Sequence, residues 1–116
     1  MRTPLSVTGL AVALALSACA HGPDAGAPAR QAVIESNMPE LQACWDDLAG
    51  EHPGVGGSLL FEVDLRRNGS VEWVDIAVDQ LGIAKLSACT VRRIKNWRFP
   101  EERKRRSISF GVGFRG

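Results

Sequence analysis

Three cysteines, Cys19, Cys44 and Cys89, are the residues of this chain best suited to covalent chemistry. No Cys-X-X-Cys motif joins any two of them, so the sequence carries no redox-active pair of that type. Cys44 and Cys89 have no paired histidine nearby, which leaves too few ligands for a zinc site. The chain has two histidines, His21 and His52, and they fall in stretches that read as solvated loop. Asp46-Asp47 and Glu101-Glu102 are adjacent in sequence, a spacing that suits a wetted surface better than an acid/base pair. The GVGG at 54–57 lacks both a following lysine and a preceding strand, so it is not a phosphate cradle. No catalytic constellation emerges, and the expectation is a non-enzymatic protein with no cofactor and no metal.

The three cysteines differ in their surroundings. Before Cys19, Arg2 supplies a basic start, and Leu5 to Leu16 form an apolar run of about a dozen residues, too short to span a bilayer. Leu16-Ser17-Ala18-Cys19 then resembles the lipobox of bacterial lipoproteins. That resemblance implies cleavage before Cys19, acylation of its thiol and amine, and anchoring by several acyl chains, which hold far more firmly than one. Ala20 in place of Asp implies sorting to the outer membrane. The alternative is an ordinary secretory leader with an incidental Cys19. The AHGPDAGAPA that follows is rich in Ala, Gly and Pro and reads as a flexible tether. The expected layout is a leader over 1–18, an acylated cysteine and tether over 19–29, and one domain over 30–116.

The elements that must hold Cys44 and Cys89 are legible from periodicity. The chain is 116 residues long, 45% apolar and 23% charged, which suits one small globular domain. Without Arg2 the count is 13 basic against 13 acidic residues, so global charge implies no nucleic-acid partner. Structure is expected from about Arg30, with a short helical turn at Val33 and Ile34. Asn37 as N-cap, Pro39 in the first turn and Glu40 at the capping-box position then predict a helix. Met38, Leu41, Cys44, Trp45 and Leu48 form its apolar stripe.

Leu59, Phe61, Val63 and Leu65 share one face of a strand, with Glu62, Asp64 and Arg66 on the other. Asn68-Gly69 predicts a two-residue hairpin turn. The return strand shifts its apolar phase from Val71 and Trp73 to Val74, Ile76 and Val78, which predicts a bulge near Trp73. Leu86, Cys89, Thr90, Arg93, Ile94 and Trp97 follow helical spacing. Ile108, Phe110, Val112 and Phe114 alternate with Ser and Gly as a last strand. The order predicts an α+β two-layer sandwich: a three-stranded antiparallel sheet with two helices on one face.

In an exported chain with Cys19 acylated, two thiols remain in an oxidising compartment, and Cys44 with Cys89 is the one pairing available. Each lies on the apolar stripe of its own helix, so two helices on one sheet face bring the stripes together. The other reading is two separate buried thiols.

VIESNMPELQACW, HPGVGGSLLFEVDLRRNGSV and LSACTVRRIKNWRFP, in that order and spacing, resemble the C-terminal domain of AgmX/PglI proteins, a relative of the TonB C-terminal domain. The resemblance covers Val33 to Phe114. It implies a TonB-like helix-plus-sheet fold, supports the Cys44–Cys89 pair, and implies binding by addition of a partner strand to a sheet edge.

The final strand is the expected edge, with Ser107, Ser109, Gly111 and Gly113 leaving the backbone accessible. The alternative places this strand in the centre of the sheet or under cover. A second candidate is Arg103-Lys104-Arg105-Arg106, which can meet anionic headgroups or an acidic partner, each cation contributing about 1 kcal/mol near a charged membrane. The alternative there is a solvated turn balanced by Glu101 and Glu102. The expected function is therefore a cell-envelope lipoprotein, on the periplasmic face of the outer membrane. It binds an envelope protein, or a second copy of itself, through a sheet edge. The competing reading is a structural envelope protein that binds cell-wall polymer or anionic lipid through the basic loop.

Overall fold

Alternation of Leu59, Phe61, Val63 and Leu65, all at most 2% exposed, builds the strand on which the rest of the molecule is laid. The structure is a computed structural model that describes residues 24–115. The leader, the expected attachment site Cys19 and the tether up to residue 23 lie outside the described residues. The elements are α1 (Ala27–Asp46), a 3-10 turn (Ala49–Glu51), β1 (Gly56–Leu65), β2 (Val71–Asp79), α2 (Ala84–Lys95) and β3 (Arg106–Arg115). The three strands form one antiparallel sheet in the order β2-β1-β3, so β1 is central and β3 is an edge. The fold is the expected α+β sandwich. Both helices contribute to the core that covers the inner face of the sheet.

Trp45 lies against Phe114 (ring centroids 6.0 Å apart), and Trp97 stacks on Phe110 (5.9 Å), which in turn meets Phe61 (5.5 Å). Burying side chains of this size contributes about 1.5–3 kcal/mol each. Thr90, fully buried on α2, satisfies its hydroxyl by donating to Leu86 O at 2.8 Å. Cys44 on α1 and Cys89 on α2 are joined in a disulfide with Cα atoms 5.9 Å apart, which ties the two helices over the sheet.

Four local expectations are corrected. Asn37 does not cap a helix: α1 runs unbroken from Ala27 through Pro39, and Pro28 occupies its first turn. The buried stripe explains why. Ile34, Met38, Leu41 and Trp45 follow helical spacing across the proline, and packing this face outweighs the missing N–H of Pro39. Asn37 instead donates its side-chain N–H to Val33 O at 2.9 Å. Ordered structure also begins before Arg30, because Arg30 is 6% exposed and clasped by Asp24 and Glu102.

The hairpin is not a two-residue turn. Gly69 N–H donates to Arg66 O at 2.9 Å, which puts Arg67 and Asn68 at the centre of a turn that ends on Gly69 with φ +86°. β2 contains two register shifts, at Glu72 and at Ala77. The first is the expected bulge, one residue before Trp73. The second lies between Ile76 and Val78, so Val71, Val74 and Ile76 face the core while Trp73 and Val78 turn outward. Finally, α2 stops at Lys95, and Trp97 enters the core from the segment that follows it.

Candidate functional site

β3 pairs with β1 in unbroken register from Gly56 with Arg115 to Leu65 with Arg106. In an antiparallel ladder alternate residues turn their main-chain N–H and C=O toward the neighbour or away from it. Two observations fix which residues turn away. Ser58, the partner of Gly113, gives both of its main-chain groups to Gln80 on the β2 side: its N–H donates to Gln80 Oε1 at 2.9 Å, and its C=O accepts from Gln80 N–H at 3.1 Å. From the other side, α1 side chains donate to Gly113 O (Gln42 Nε2, 3.3 Å) and to Arg115 O (Trp45 Nε1, 2.6 Å). Ser107, Ser109, Gly111, Gly113 and Arg115 therefore turn their main-chain groups away from β1.

The edge has two halves. Its C-terminal end, at Gly113 and Arg115, is covered by Gln42 and Trp45 of α1. Toward the N-terminal end, no described residue bonds the outward main-chain groups of Ser109 or Gly111. This stretch is flanked by two clefts that share Ile108 and Ser109. On the helix side a cleft of about 250 Å³ is lined by Ala27, Arg30, Gln31 and Ile34 of α1. On the open face of the sheet a cleft of about 310 Å³ is lined by Glu62, Asp64, Trp73, Asp75 and Ser107.

The structure thus brings together Ser107, Ser109 and Gly111 of the expected strand site and withdraws Gly113. It also divides the basic run. Arg105 pairs with Glu72 at 2.7 Å, and Arg106 pairs with Glu102 at 3.1 Å. Arg103 and Lys104 are exposed and have no ion pair among the described residues. Glu102 does not serve as a loose counter-charge. It accepts from Arg30 at 2.7 Å, and this bond leads in raising the Arg30 guanidinium pKa against the opposing effect of burial, with Asp24 adding to it. Desolvation pushes the Asp24 carboxyl up, but the bonds from Arg30 and Gly26 and the charge of Arg106 outweigh it, so Asp24 lies below its ordinary 3.8. Arg30 lines the helix-side cleft with its charge already satisfied.

Sequence reasoning missed the acidic cleft. Its signal was present, since Glu62 and Asp64 alternate with the core residues of β1. Trp73 and Asp75 join them only because the bulge at Glu72 resets the phase of β2. Among the described residues no group of His, Cys, Asp and Glu could hold a metal ion, and no helix is long and apolar enough to cross a membrane. Comparison of the chain with protein-family models, with curated proteins and with solved structures finds no match.

Proposed function

We propose that this chain is a lipid-anchored, non-enzymatic protein of the bacterial cell envelope that binds an envelope partner by adding a strand to the open stretch of β3. The observation that carries this reading is the pair of outward-facing, unbonded backbones at Ser109 and Gly111, set between two clefts. Main-chain groups in this state are a template for another strand. The lipobox-like Leu16 to Cys19 and the resemblance to TonB-like domains agree with it, and the Cys44–Cys89 disulfide suits an oxidising compartment.

Ser109→Pro tests the reading, because it deletes an outward N–H without touching the β1 ladder. Crosslinking in the native envelope should capture a partner with the wild-type chain and lose it with Ser109→Pro, while the thermal midpoint of the variant stays within a few degrees. Capture that is unchanged in a folded Ser109→Pro chain would refute strand addition.

A second reading has its own support. Arg106 lies 3.7 Å from Asp24, so the chain enters the fold beside the basic loop. Cys19 is five residues before Asp24, and five residues span at most about 17 Å. If Cys19 is acylated, Arg103 and Lys104 are held close to the headgroups, where they would orient the domain on an anionic membrane.

A further inference from the structure

The open face of the sheet has a composition that the strand-addition reading does not by itself require. Its rows run across β2, β1 and β3 in register. One row is Trp73, Asp64 and Ser107; the next is Asp75, Glu62 and Ser109; the third is Val78, Leu60 and Gly111. Glu62 and Asp75 are directly opposed, and like charges in that position destabilise a sheet. Neither they nor Asp64 forms an ion pair with a described residue, although Arg105 and Arg106 stand nearby and take Glu72 and Glu102 instead. Among the described residues, Trp73 at 59% and Val78 at 48% exposed are the large apolar residues left on the surface, and both lie on this face.

Resting on the strand-addition reading, we propose that the strand accepted by β3 carries Lys or Arg opposite Ser107 and Ser109, with an apolar residue between them. A residue registered with Ser109 projects its side chain onto the open face, and its neighbours project into the helix-side cleft. Strands are spaced about 4.8 Å apart, so β1 lies two spacings, about 9.6 Å, from the added strand. Between them stand only Ser107, Ser109 and Gly111, too short to obstruct a long side chain. A four-carbon lysine stem or a guanidinium laid across Ser109 meets the Glu62 carboxylate extending from β1, and one laid across Ser107 meets Asp64, whose Oδ1 also accepts from Ser107 Oγ at 2.7 Å. Trp73 lines the same cleft, where an aromatic ring can favour a nearby cation. The residue between the two cations enters the cleft beside Ile34 and Ile108, both in the core or packed against it. Opposite Gly111 the row is Leu60 and Val78, so the next outward position on the guest favours an apolar residue.

The probes are capped hexapeptides added to the full-length protein in detergent: alternating Lys and Val, alternating Glu and Val, and alternating Lys and Val with every lysine amide N-methylated. Trp45 and Trp97 are buried, at 2% and 4% exposed, so quenching by neutral acrylamide reports on Trp73. Hydrogen exchange at Ser109 and Gly111 reports on the edge. The Lys-Val peptide is expected to bind at least tenfold more tightly than the Glu-Val peptide, shield Trp73 and slow exchange at both amides. The N-methylated peptide, which in antiparallel pairing lacks the main-chain donors opposite Ser107 and Ser109, should bind far more weakly. Glu62→Gln with Asp64→Asn and Asp75→Asn should erase the difference between Lys-Val and Glu-Val while leaving exchange protection in place. Equal binding of Lys-Val and Glu-Val to the wild-type edge, with protection, would overturn the basic partner and leave strand addition standing. Lys-Val binding that survives Ser109→Pro and protects neither amide would overturn strand addition itself, and the proposal with it.

Discussion

Gly69 shows how one residue holds two requirements at once. Its φ of +86° is a conformation that side chains rarely adopt, and a Cβ there would stand 1.8 Å from Phe99 O. The close approach exists because Phe99 N–H donates to Gly69 O at 2.9 Å, stitching the hairpin tip to the segment that carries Trp97 and Phe99 into the core. Gly69→Ala therefore meets both backbone strain and a backbone clash, and should lower unfolding free energy by about 2–4 kcal/mol. Gly54 provides the control. Its φ is +75°, yet nothing lies within 4 Å of an added Cβ. Gly54→Ala should cost about 1 kcal/mol from the backbone alone. Urea midpoints of the two variants, measured side by side, check the difference. Equal losses would show that the approach to Phe99 is not a constraint.

At the scale of elements, the disulfide decides how firmly the helix layer is held. α1 and α2 are separated in sequence by the whole β1–β2 hairpin, and Cys44–Cys89 closes a loop with a separation of 45. Constraining a loop of that length in the unfolded chain contributes about 4 kcal/mol. For a domain of this size that is a large share of the roughly 5–15 kcal/mol that typical domains have. Cys44→Ala with Cys89→Ala should lower the unfolding free energy by about that amount. Reductant should lower the wild-type midpoint toward the variant's and leave the variant's own midpoint unchanged. A reductant-insensitive wild type would show that the pair does not constrain the chain.

Over the whole molecule, two surfaces adjoin at the N-terminal end of β3. Pairing at the β3 edge depends on backbone geometry, whereas its acidic shelf and the loop at Arg103 and Lys104 depend on charge. The two should separate by salt. Strand pairing should persist at about 0.5 M salt, where contacts between exposed charges are screened. With the full-length protein reconstituted in vesicles, hydrogen exchange over residues 101–105 should slow on anionic lipid relative to neutral lipid. That slowing should vanish with Arg103→Gln and Lys104→Gln, two cations contributing about 1 kcal/mol each near such a surface. Exchange that ignores lipid charge would exclude the loop as a headgroup contact.

Sequence alone determined the elements and the core. The period-two run of Leu59, Phe61, Val63 and Leu65 and the helical stripe through Leu41, Cys44 and Trp45 are local patterns, because burying one face imposes its period on the residues that form it. Pairing of Cys44 with Cys89 was legible for the same reason, since each cysteine lay on a stripe bound for the same core. Continuity of α1 through Pro39 was not legible, because local signals at Asn37 and Glu40 point to a helix start and only packing across the proline overrides them. Nor was the division of the β3 edge, with Gly113 and Arg115 covered while Ser109 and Gly111 stay open. Strand order and the reach of Gln42 and Trp45 set it, and these are contacts between residues about 70 positions apart. Periodicity tells a residue which face it occupies; which neighbour stands beside it is decided by register and topology, and only the folded chain supplies those.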